Sequence, residues 1–198
     1  GRNSFSKTDP DATFMHMKED HMRNGQLKPG YNVQIAVNSE YITGVAAFSN
    51  RTDSGTLQPF LRQLERQHGQ KYQEIVADAG YESADNYLFL EGNGQFSFIK
   101  PINYETQKKK KFRSQIGRRE NMPYDEQEDC YTCAEGRKLY FRRESTQLDK
   151  QGRFQTMAFY RCENCADCKH RAECCKAKED KAKELRVSTE LLRLSKQS

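Results

Sequence analysis

The sequence predicts an α/β fold that continues into a cysteine-rich segment. Two β-branched and aromatic runs, a segment of helical periodicity and a further short apolar run follow one another in residues 31–99. All seven cysteines lie between positions 130 and 175, which predicts a metal-binding segment there. Only 35% of the residues are hydrophobic and 31% are charged, so we expect a modest core with polar appendages.

A β-hairpin followed by a helix opens the predicted fold. Apolar side chains alternate in residues 31–37, residues 38–40 are turn formers, and residues 41–48 are again β-branched and aromatic. Next, Thr52, Asp53 and Ser54 offer N-cap side chains, and we interpret Asp53 as a helix cap rather than a ligand. Four apolar residues then recur on one helical face and predict a helix that ends near Gly69: Leu57, Phe60, Leu61 and Leu64.

The most informative segment is the short apolar strand 74–77, which leads directly into Asp78 and Gly80. Because the carboxyl ends of strands in open α/β sheets face the crevice where ligands bind, Asp78 is a candidate ligand of a divalent metal. An Asp that only caps a turn is the alternative. Beyond it, Ser83 is a candidate cap for a helix that runs to about residue 90, and residues 96–99 predict a last strand.

The resulting order, β-β-α-β-α-β, is that of a ribonuclease H-like sheet without its first strand. In that fold the first strand carries one metal-binding carboxylate, the fourth strand carries a second, and a later helix carries a third. We therefore expect an incomplete ribonuclease H-like sheet, with the first strand and the last helices missing, in which Asp78 takes the second position. The amphipathic pattern in residues 189–198 stops unfinished, which predicts a fragment of a longer protein.

Hydropathy and charge indicate where the protein is located and what kind of partner it could bind. No apolar run is long enough to cross a bilayer and no secretory signal is recognisable, so we expect a soluble, cytoplasmic protein. The net charge is +5, and the densest basic block either binds a polyanion or is a solvated loop; composition leaves both open. This basic block consists of Lys108, Lys109, Lys110, Lys111, Arg113, Arg118 and Arg119.

The cysteine spacing predicts a zinc-ribbon-like segment. Two Cys-x2-Cys pairs, each suited to two corners of a tetrahedral thiolate site, flank residues 137–143 and 154–160, which predict a hairpin joined through 148–152. The odd number of cysteines and the lack of a secretory signal argue against disulfides. His170 could replace a thiolate but is expected to be solvated. Two ligand sets stay open: Cys130, Cys133, Cys162 and Cys165, or Cys133, Cys165, Cys168 and Cys174.

Three strings of residues carry a resemblance to a known family. Residues 6–15 read SKTDPDATFM, residues 24–34 read NGQLKPGYNVQ, and residues 77–81 read ADAGY, followed by Asn86 and Tyr87. In this order and together, the strings resemble bacterial insertion-sequence transposases of the DDE type, specifically the group named after insertion sequence eleven-eighty-two.

The resemblance implies DNA strand cleavage and strand transfer that depend on Mg²⁺ or Mn²⁺, by a homo-oligomer that binds transposon ends and target DNA in the bacterial cytoplasm, near the nucleoid. It makes Asp78 the second carboxylate of an Asp-Asp-Glu triad whose first Asp precedes the chain's first string and whose Glu lies beyond the chain. Asp9 and Asp11 are read as turn residues. We therefore expect the chain to be inactive by itself.

The resemblance also implies that the cysteine-rich segment, ordered by structural Zn²⁺, is an insertion before the helix that bears the Glu, and it favours DNA contact by the basic block. The expected domains are a partial catalytic core (1–103), a basic linker (104–128), the zinc-binding insertion (129–176) and the start of a truncated helical part (177–198). The alternative functions are a non-enzymatic zinc-ribbon protein that binds nucleic acid, or a decayed transposon remnant.

Overall fold

The computed structural model describes residues 6–17, 22–148, 154–178 and 181–197. The chain packs into two compact units, a first unit that ends at Ile102 and a second unit from Asn103 to Gln197. Together they form a mixed α/β chain, as the sequence predicts. None of the described helices is long and apolar enough to cross a membrane.

The first unit opens with a small hairpin that the sequence did not predict. Strand β1 (Thr13–Met15) pairs antiparallel with β2 (Lys28–Gly30). The turn before β1 is built on Asp9, whose Oδ1 accepts the backbone N–H groups of Asp11 and Ala12 at 3.1 and 3.3 Å. The same carboxylate accepts the Tyr31 hydroxyl at 2.9 Å. Asp9 is therefore the turn residue that its sequence context indicates.

A second hairpin and a helix follow as predicted. Strands β3 (Asn32–Asn38) and β4 (Tyr41–Phe48) are antiparallel, and both residues between them, Ser39 and Glu40, have positive φ, which is typical of a tight hairpin turn. Helix α1 (Leu57–His68) ends at Gly69, which adopts the left-handed conformation with φ of 69°. Its buried side chains, which face β4, are Leu57, Phe60 and Leu64.

The apolar face of β3 is exposed, and its more polar face is buried. Val33, Ile35 and Val37 share one face, as their alternation predicts, but that face is exposed. Gln34, on the opposite face, is only 2% exposed. It shares that face with Ala36, whose partner Gly44 lies against Leu64 of α1. The helix therefore covers the more polar side of the hairpin.

The last strands of the first unit are parallel. Strand β5 (Glu74–Ala77) pairs with β6 (Phe96–Ile99), and helix α2 (Ala84–Gly92) connects them. The predicted cap of α2 is confirmed, because Ser83 Oγ accepts the Asn86 N–H at 3.2 Å. In the described residues the β3–β4 and β5–β6 pairs are separate two-stranded sheets, so a single ribonuclease H-like sheet stays a prediction.

In its described residues, the second unit contains five strands and four short helices. The strands are β7 (Tyr124–Asp125), β8 (Cys130–Thr132), β9 (Lys138–Leu148), β10 (Phe154–Cys162) and β11 (Glu184–Ser188), and the helices are α3 (Tyr104–Gln107), α4 (Lys110–Arg113), α5 (Arg171–Cys174) and α6 (Thr189–Gln197). The strands form an antiparallel sheet of order β11-β10-β9-β8-β7. The predicted hairpin is present as β9 and β10, while residues 149–152 of its connection lie outside the described residues. Helices α3 and α4 precede the sheet in sequence, α5 lies between β10 and β11, and α6 follows β11.

One face of this sheet carries the core of the second unit. Tyr131 and Tyr160 pack edge to face with ring centroids 5.0 Å apart, and the Tyr160 hydroxyl donates to Asp129 at 2.7 Å. The segment that the sequence predicts as a basic linker contributes Met122 to this core and buries Phe112. By its contacts it belongs to the second unit.

The contact between α1 and the second hairpin gives a test of the fold. A Cβ atom added at Gly44 would overlap with Cδ2 of the buried Leu64 side chain, so Gly44→Ala should destabilise the chain by about 1–3 kcal/mol through overpacking. Gly92→Ala is the matched control, because nothing lies within 4 Å of the added atom. Urea unfolding followed by circular dichroism compares the two variants; equal stability of Gly44→Ala and the original chain would contradict this packing.

Candidate functional site

Asp78 lies at the carboxyl end of β5, where the sequence predicts it. Its carbonyl accepts the Tyr81 N–H at 3.0 Å and so starts a single 3₁₀ turn, Ala79–Tyr81. The side chain does not cap that turn. It is exposed, and within the described ranges no residue hydrogen-bonds its carboxylate. The turn thus uses the backbone of Asp78 and leaves its carboxylate open to a ligand.

A second carboxylate, that of Asp53, lies against the same turn. A Cβ atom added at Gly80 would be 2.6 Å from Asp53 Oδ2, so only glycine accommodates this approach. The other oxygen, Oδ1, accepts the side-chain amides of Asn32 at 2.7 Å and Gln34 at 3.3 Å.

The predicted role of Asp53 as a helix cap is wrong: α1 begins after Thr56, with no side-chain cap.

Gln34 connects Asp53 to Tyr81. Besides donating to Asp53, its amide group accepts the Tyr81 hydroxyl and donates to Asn32 Oδ1 at 2.7 Å. Burial raises the pKa of Tyr81, and the negative charges of Asp53 and then Asp78 raise it further. The phenol therefore stays protonated and acts as a donor. These contacts fix the strand-end turn to β3 and to the turn before α1.

Asn86 of α2 also holds the turn that follows Asp78 in place. It is fully buried, and its side-chain amide donates to the carbonyls of Tyr81 at 2.7 Å and Ser54 at 3.0 Å. Sequence reasoning did not assign roles to Asn86, Asn32 or Gln34. The available signal was polar side chains in segments that otherwise read as apolar, since a buried amide needs partners.

The chemistry available at this site is that of oxygen donors. Exposed carboxylates suit hard divalent cations such as Mg²⁺, and Asp78 has the required exposure. In the part of the chain that the structure describes, no group of three or more His, Cys, Asp or Glu side chains is arranged to hold a metal ion. Asp78 thus supplies one carboxylate to a metal site. Oδ1 of Asp53 accepts hydrogen bonds from the side-chain amides of Asn32 and Gln34 instead.

The basic block forms a short helical surface in the second unit. Phe112 is buried and anchors α4, while Lys109, Lys110 and Lys111 are exposed around it. The Lys108 ammonium lies 3.9 Å from the Tyr104 ring centroid. At the other end, the Arg118 guanidinium stacks on Phe112 at 4.6 Å and Arg119 pairs with Glu120 at 3.6 Å; Arg113 is exposed. Within the basic block, the three consecutive lysines Lys109, Lys110 and Lys111 are the cations most available to an anionic partner.

The cysteines of the second unit are all free thiols. Burial raises the pKa of Cys162 to about 12, helped by the neighbouring thiol of Cys165 and by Cys133. The pKa of Cys174 is raised by burial, is lowered in part by Lys183, and is raised further by Cys133, Cys165 and Cys175. Both ligand sets that the spacing suggests stay predictions.

The other predicted candidates of this segment are Cys130, Cys168 and His170. Cys130 lies within β8, 3.8 Å from Glu128 Oε2. Cys168 precedes α5 and is half-buried. His170 Nε2 lies 3.5 Å from Glu135 Oε2, so the imidazole is engaged by a carboxylate.

Comparison with known protein families shows the family of this chain. The sequence model of the family described as the transposase DDE domain matches residues 4–174. Among curated proteins and among solved structures, no match was found. The matched range contains Asp78, the basic block and six of the cysteines, all except Cys175.

The pKa of Tyr81 tests the geometry around Asp78. Asp53→Asn should lower this pKa, because the negative charge of Asp53 disfavours the phenolate more strongly than that of Asp78 does, and Asp78→Asn should lower it less. Ring-carbon NMR of labelled tyrosine, assigned with Tyr81→Phe, measures the titration. Glu74→Gln, at the far end of β5, is the control and should leave it unchanged. An unchanged Tyr81 pKa in Asp53→Asn would refute the network.

Proposed function

Because the chain belongs to the family of transposase DDE domains, we propose that it forms part of a catalytic centre for metal-dependent DNA cleavage and strand transfer. Asp78 is the residue that we assign to the catalytic metal. One observation carries this assignment: the Asp78 carboxylate is exposed at the carboxyl end of a parallel strand, on a turn that does not use it.

The proposed metal is Mg²⁺ or Mn²⁺, which carboxylate oxygens suit. When bound, such an ion would activate an attacking oxygen or stabilise a leaving oxygen at a phosphodiester. Asp78 would hold the ion. Asp53, Gln34 and Tyr81 are positioning residues, because they hydrogen-bond one another and fix the turn without using the Asp78 carboxylate.

A complete centre requires more carboxylates than the described residues bring to Asp78. A hard cation held by one carboxylate binds weakly, since proteins usually surround Mg²⁺ with several oxygen donors. We therefore propose that this chain is inactive by itself and that an Asp and a Glu outside it complete the triad. Homo-oligomeric assembly on transposon ends, and membership of the group named after insertion sequence eleven-eighty-two, are parts of the same proposal.

DNA is the partner that this proposal requires. The exposed lysines of α4 and the residue before it offer closely spaced cations, and such cations bind backbone phosphates without reading sequence. We assign the basic block to this contact, with Lys109, Lys110 and Lys111 as its centre. Their supporting residue is Phe112, whose burial holds the helical turn in place.

The cysteine-rich part of the second unit has a supporting role in this proposal. Its buried thiols Cys162 and Cys165 belong to the core of the sheet. Structural Zn²⁺ bound through cysteines would order this segment, because metal binding contributes directly to folding. The role is structural and separate from the catalytic carboxylates.

Replacement of Asp78 tests the catalytic assignment. In the natural protein that contains this sequence, Asp78→Asn should reduce Mg²⁺-dependent strand cleavage at least about 100-fold, because a metal-holding charge worth several kcal/mol is lost. DNA affinity should change little. The matched control is Glu74→Gln, an exposed carboxylate at the start of the same strand.

Two outcomes would contradict the catalytic proposal. Unaltered cleavage in Asp78→Asn would reduce Asp78 to a turn residue and favour a non-enzymatic nucleic-acid-binding protein. Cleavage of supercoiled DNA by this chain alone, lost in Asp78→Asn, would show that no outside carboxylate is required. A gel assay of plasmid nicking with Mg²⁺ or Mn²⁺ distinguishes these cases.

Replacement of the lysines tests the DNA contact. The triple variant Lys109→Gln, Lys110→Gln, Lys111→Gln should weaken binding to duplex DNA and reduce the slope of log K against log salt by about 2–3, because each lost phosphate contact removes about 0.9. The control replaces three exposed cations of the first unit by Gln: Arg51, Arg66 and Lys71. Equal losses in the two triple variants, measured by fluorescence anisotropy, would refute a localised contact.

A further inference from the structure

We propose that the second unit binds the phosphate backbone of duplex DNA in a groove beside β10 and β11, in addition to the basic block. Two cavities of about 580 and 450 Å³ form this groove, and they adjoin because Arg161, Lys181 and Ala182 line both. The inference rests on the proposed DNA-binding function and adds a second contact to it. Five cations that line the cavities define this phosphate groove: Arg142, Arg161, Lys176, Lys181 and Arg186.

Strand register directs Arg161 and Arg186 away from the core of the second unit. Arg161 lies in β10 and Arg186 lies in β11, and the residues on either side of each belong to the core of the sheet. Because side chains alternate along a strand, both arginines lie on the opposite face. Both are exposed. The sheet thus presents these two cations to solvent beside the cavities.

An irregularity in the sheet brings Arg142 to the same groove. The register of β9 and β10 shifts between Phe159 and Tyr160, which leaves Arg142 of β9 without a partner residue in β10. Such an extra residue is a β-bulge, and a bulge changes the direction of a side chain relative to the regular strand. Arg142 is exposed and lines the larger cavity together with Arg161.

Two further cations hold the walls of the groove. Arg171 donates to the carbonyls of Cys165 and Lys181, both at 3.1 Å. The Lys183 ammonium donates to the Cys174 carbonyl at 2.9 Å. These bonds join the segment before β11 to α5 and to the turn after β10. The groove therefore has fixed walls, and the side chain of Lys181 is not needed to hold them.

The positive charge of the groove is largely uncompensated. Seven different cations line the two cavities, whereas their carboxylates are Glu163 and Glu184. Glu184 is the cross-strand partner of Arg161. In the part of the chain that the structure describes, no carboxylate forms an ion pair with any of the five cations that define the groove. A concave surface with such an excess of one charge attracts a partner of the opposite charge.

The lining of the groove favours duplex DNA over single strands. Proteins that bind single-stranded nucleic acid stack its bases on aromatic side chains. Among the described residues that line the two cavities, none is aromatic. Arginine and lysine side chains instead bind backbone phosphates without reading sequence. The groove therefore suits the continuous phosphate backbone of a duplex.

The groove is continuous with the basic block. Gly117 directly precedes Arg118 of that block, and a Cβ atom added at Gly117 would lie 2.7 Å from the Cys174 carbonyl oxygen. The residues that follow Cys174, namely Cys175 and Lys176, line the smaller cavity. Because duplex DNA carries one negative charge per about 1.7 Å of its axis, one duplex segment can contact both surfaces.

Replacement of three groove cations tests the inference. In the whole chain, the triple variant Arg142→Gln, Arg161→Gln, Lys181→Gln should weaken binding to a random-sequence DNA duplex. It should reduce the slope of log K against log salt by about 2–3, because each lost phosphate contact removes about 0.9. Fluorescence anisotropy measures both quantities, and the control is the triple variant of first-unit cations that also serves for the basic block.

A variant with the opposite expected effect keeps the test independent of folding damage. Glu184→Gln removes a negative charge from the groove and should tighten duplex binding about two- to threefold at low salt, since a phosphate about 8 Å away would no longer be repelled. The gain should fade at high salt because the charges are screened. Glu74→Gln, in the first unit, should leave the affinity unchanged.

Chemical labelling of the unaltered chain gives a second measurement. Duplex DNA should protect Lys176 and Lys181 from acetylation by an N-hydroxysuccinimide ester, as read by peptide mass spectrometry, and leave Lys71 reactive. Unchanged affinity in the groove triple variant and in Glu184→Gln, beside a loss of affinity in the triple lysine variant of α4, would overturn the groove and leave the proposed function standing.

Two other outcomes have a different meaning. A groove that binds a single-stranded oligonucleotide more tightly than the duplex, with the binding lost in the triple variant, would overturn its assignment to duplex DNA. A chain that binds no duplex DNA would overturn both the groove and the DNA contact of the basic block.

Discussion

The first unit depends on the position of the Asp53 carboxylate. One oxygen accepts the amides of Asn32 and Gln34, and the other lies against Gly80. The carboxylate can lie this close to the backbone because residue 80 is glycine, since any side chain at position 80 would displace it. The hairpin, the turn before α1 and the turn after β5 meet at this point, and the exposure of Asp78 is a consequence of how they meet.

Local signals predicted much of this unit. The apolar spacing of α1, the glycine at its end and the cap at Ser83 each act within a few residues, so the sequence contains them in full. The position of Asp78 after β5 follows in the same way. The role of Asp53 was assigned wrongly, because its N-cap chemistry is local whereas the amides that bind it lie about twenty residues away in β3.

The second unit shows a different limit of sequence reasoning. The hairpin of β9 and β10 and the importance of the cysteines could be predicted from composition and spacing. The face of the sheet on which each cysteine lies could not be predicted, because it depends on which residues pair across three strands. A one-residue change of register would exchange Cys130 and Tyr131 between the faces of the sheet, and no pattern within residues 130–133 specifies that register.

The buried side of β3 determines which substitutions this strand tolerates. Val33, Ile35 and Val37 are exposed whereas Gln34 is buried, so apolar burial would favour the opposite register for this strand. Its register is held instead by the hydrogen bonds of one amide to Tyr81 and Asp53. Substitutions among strand-forming residues at positions 33, 35 and 37 therefore leave these contacts intact, whereas loss of the amide at position 34 removes them.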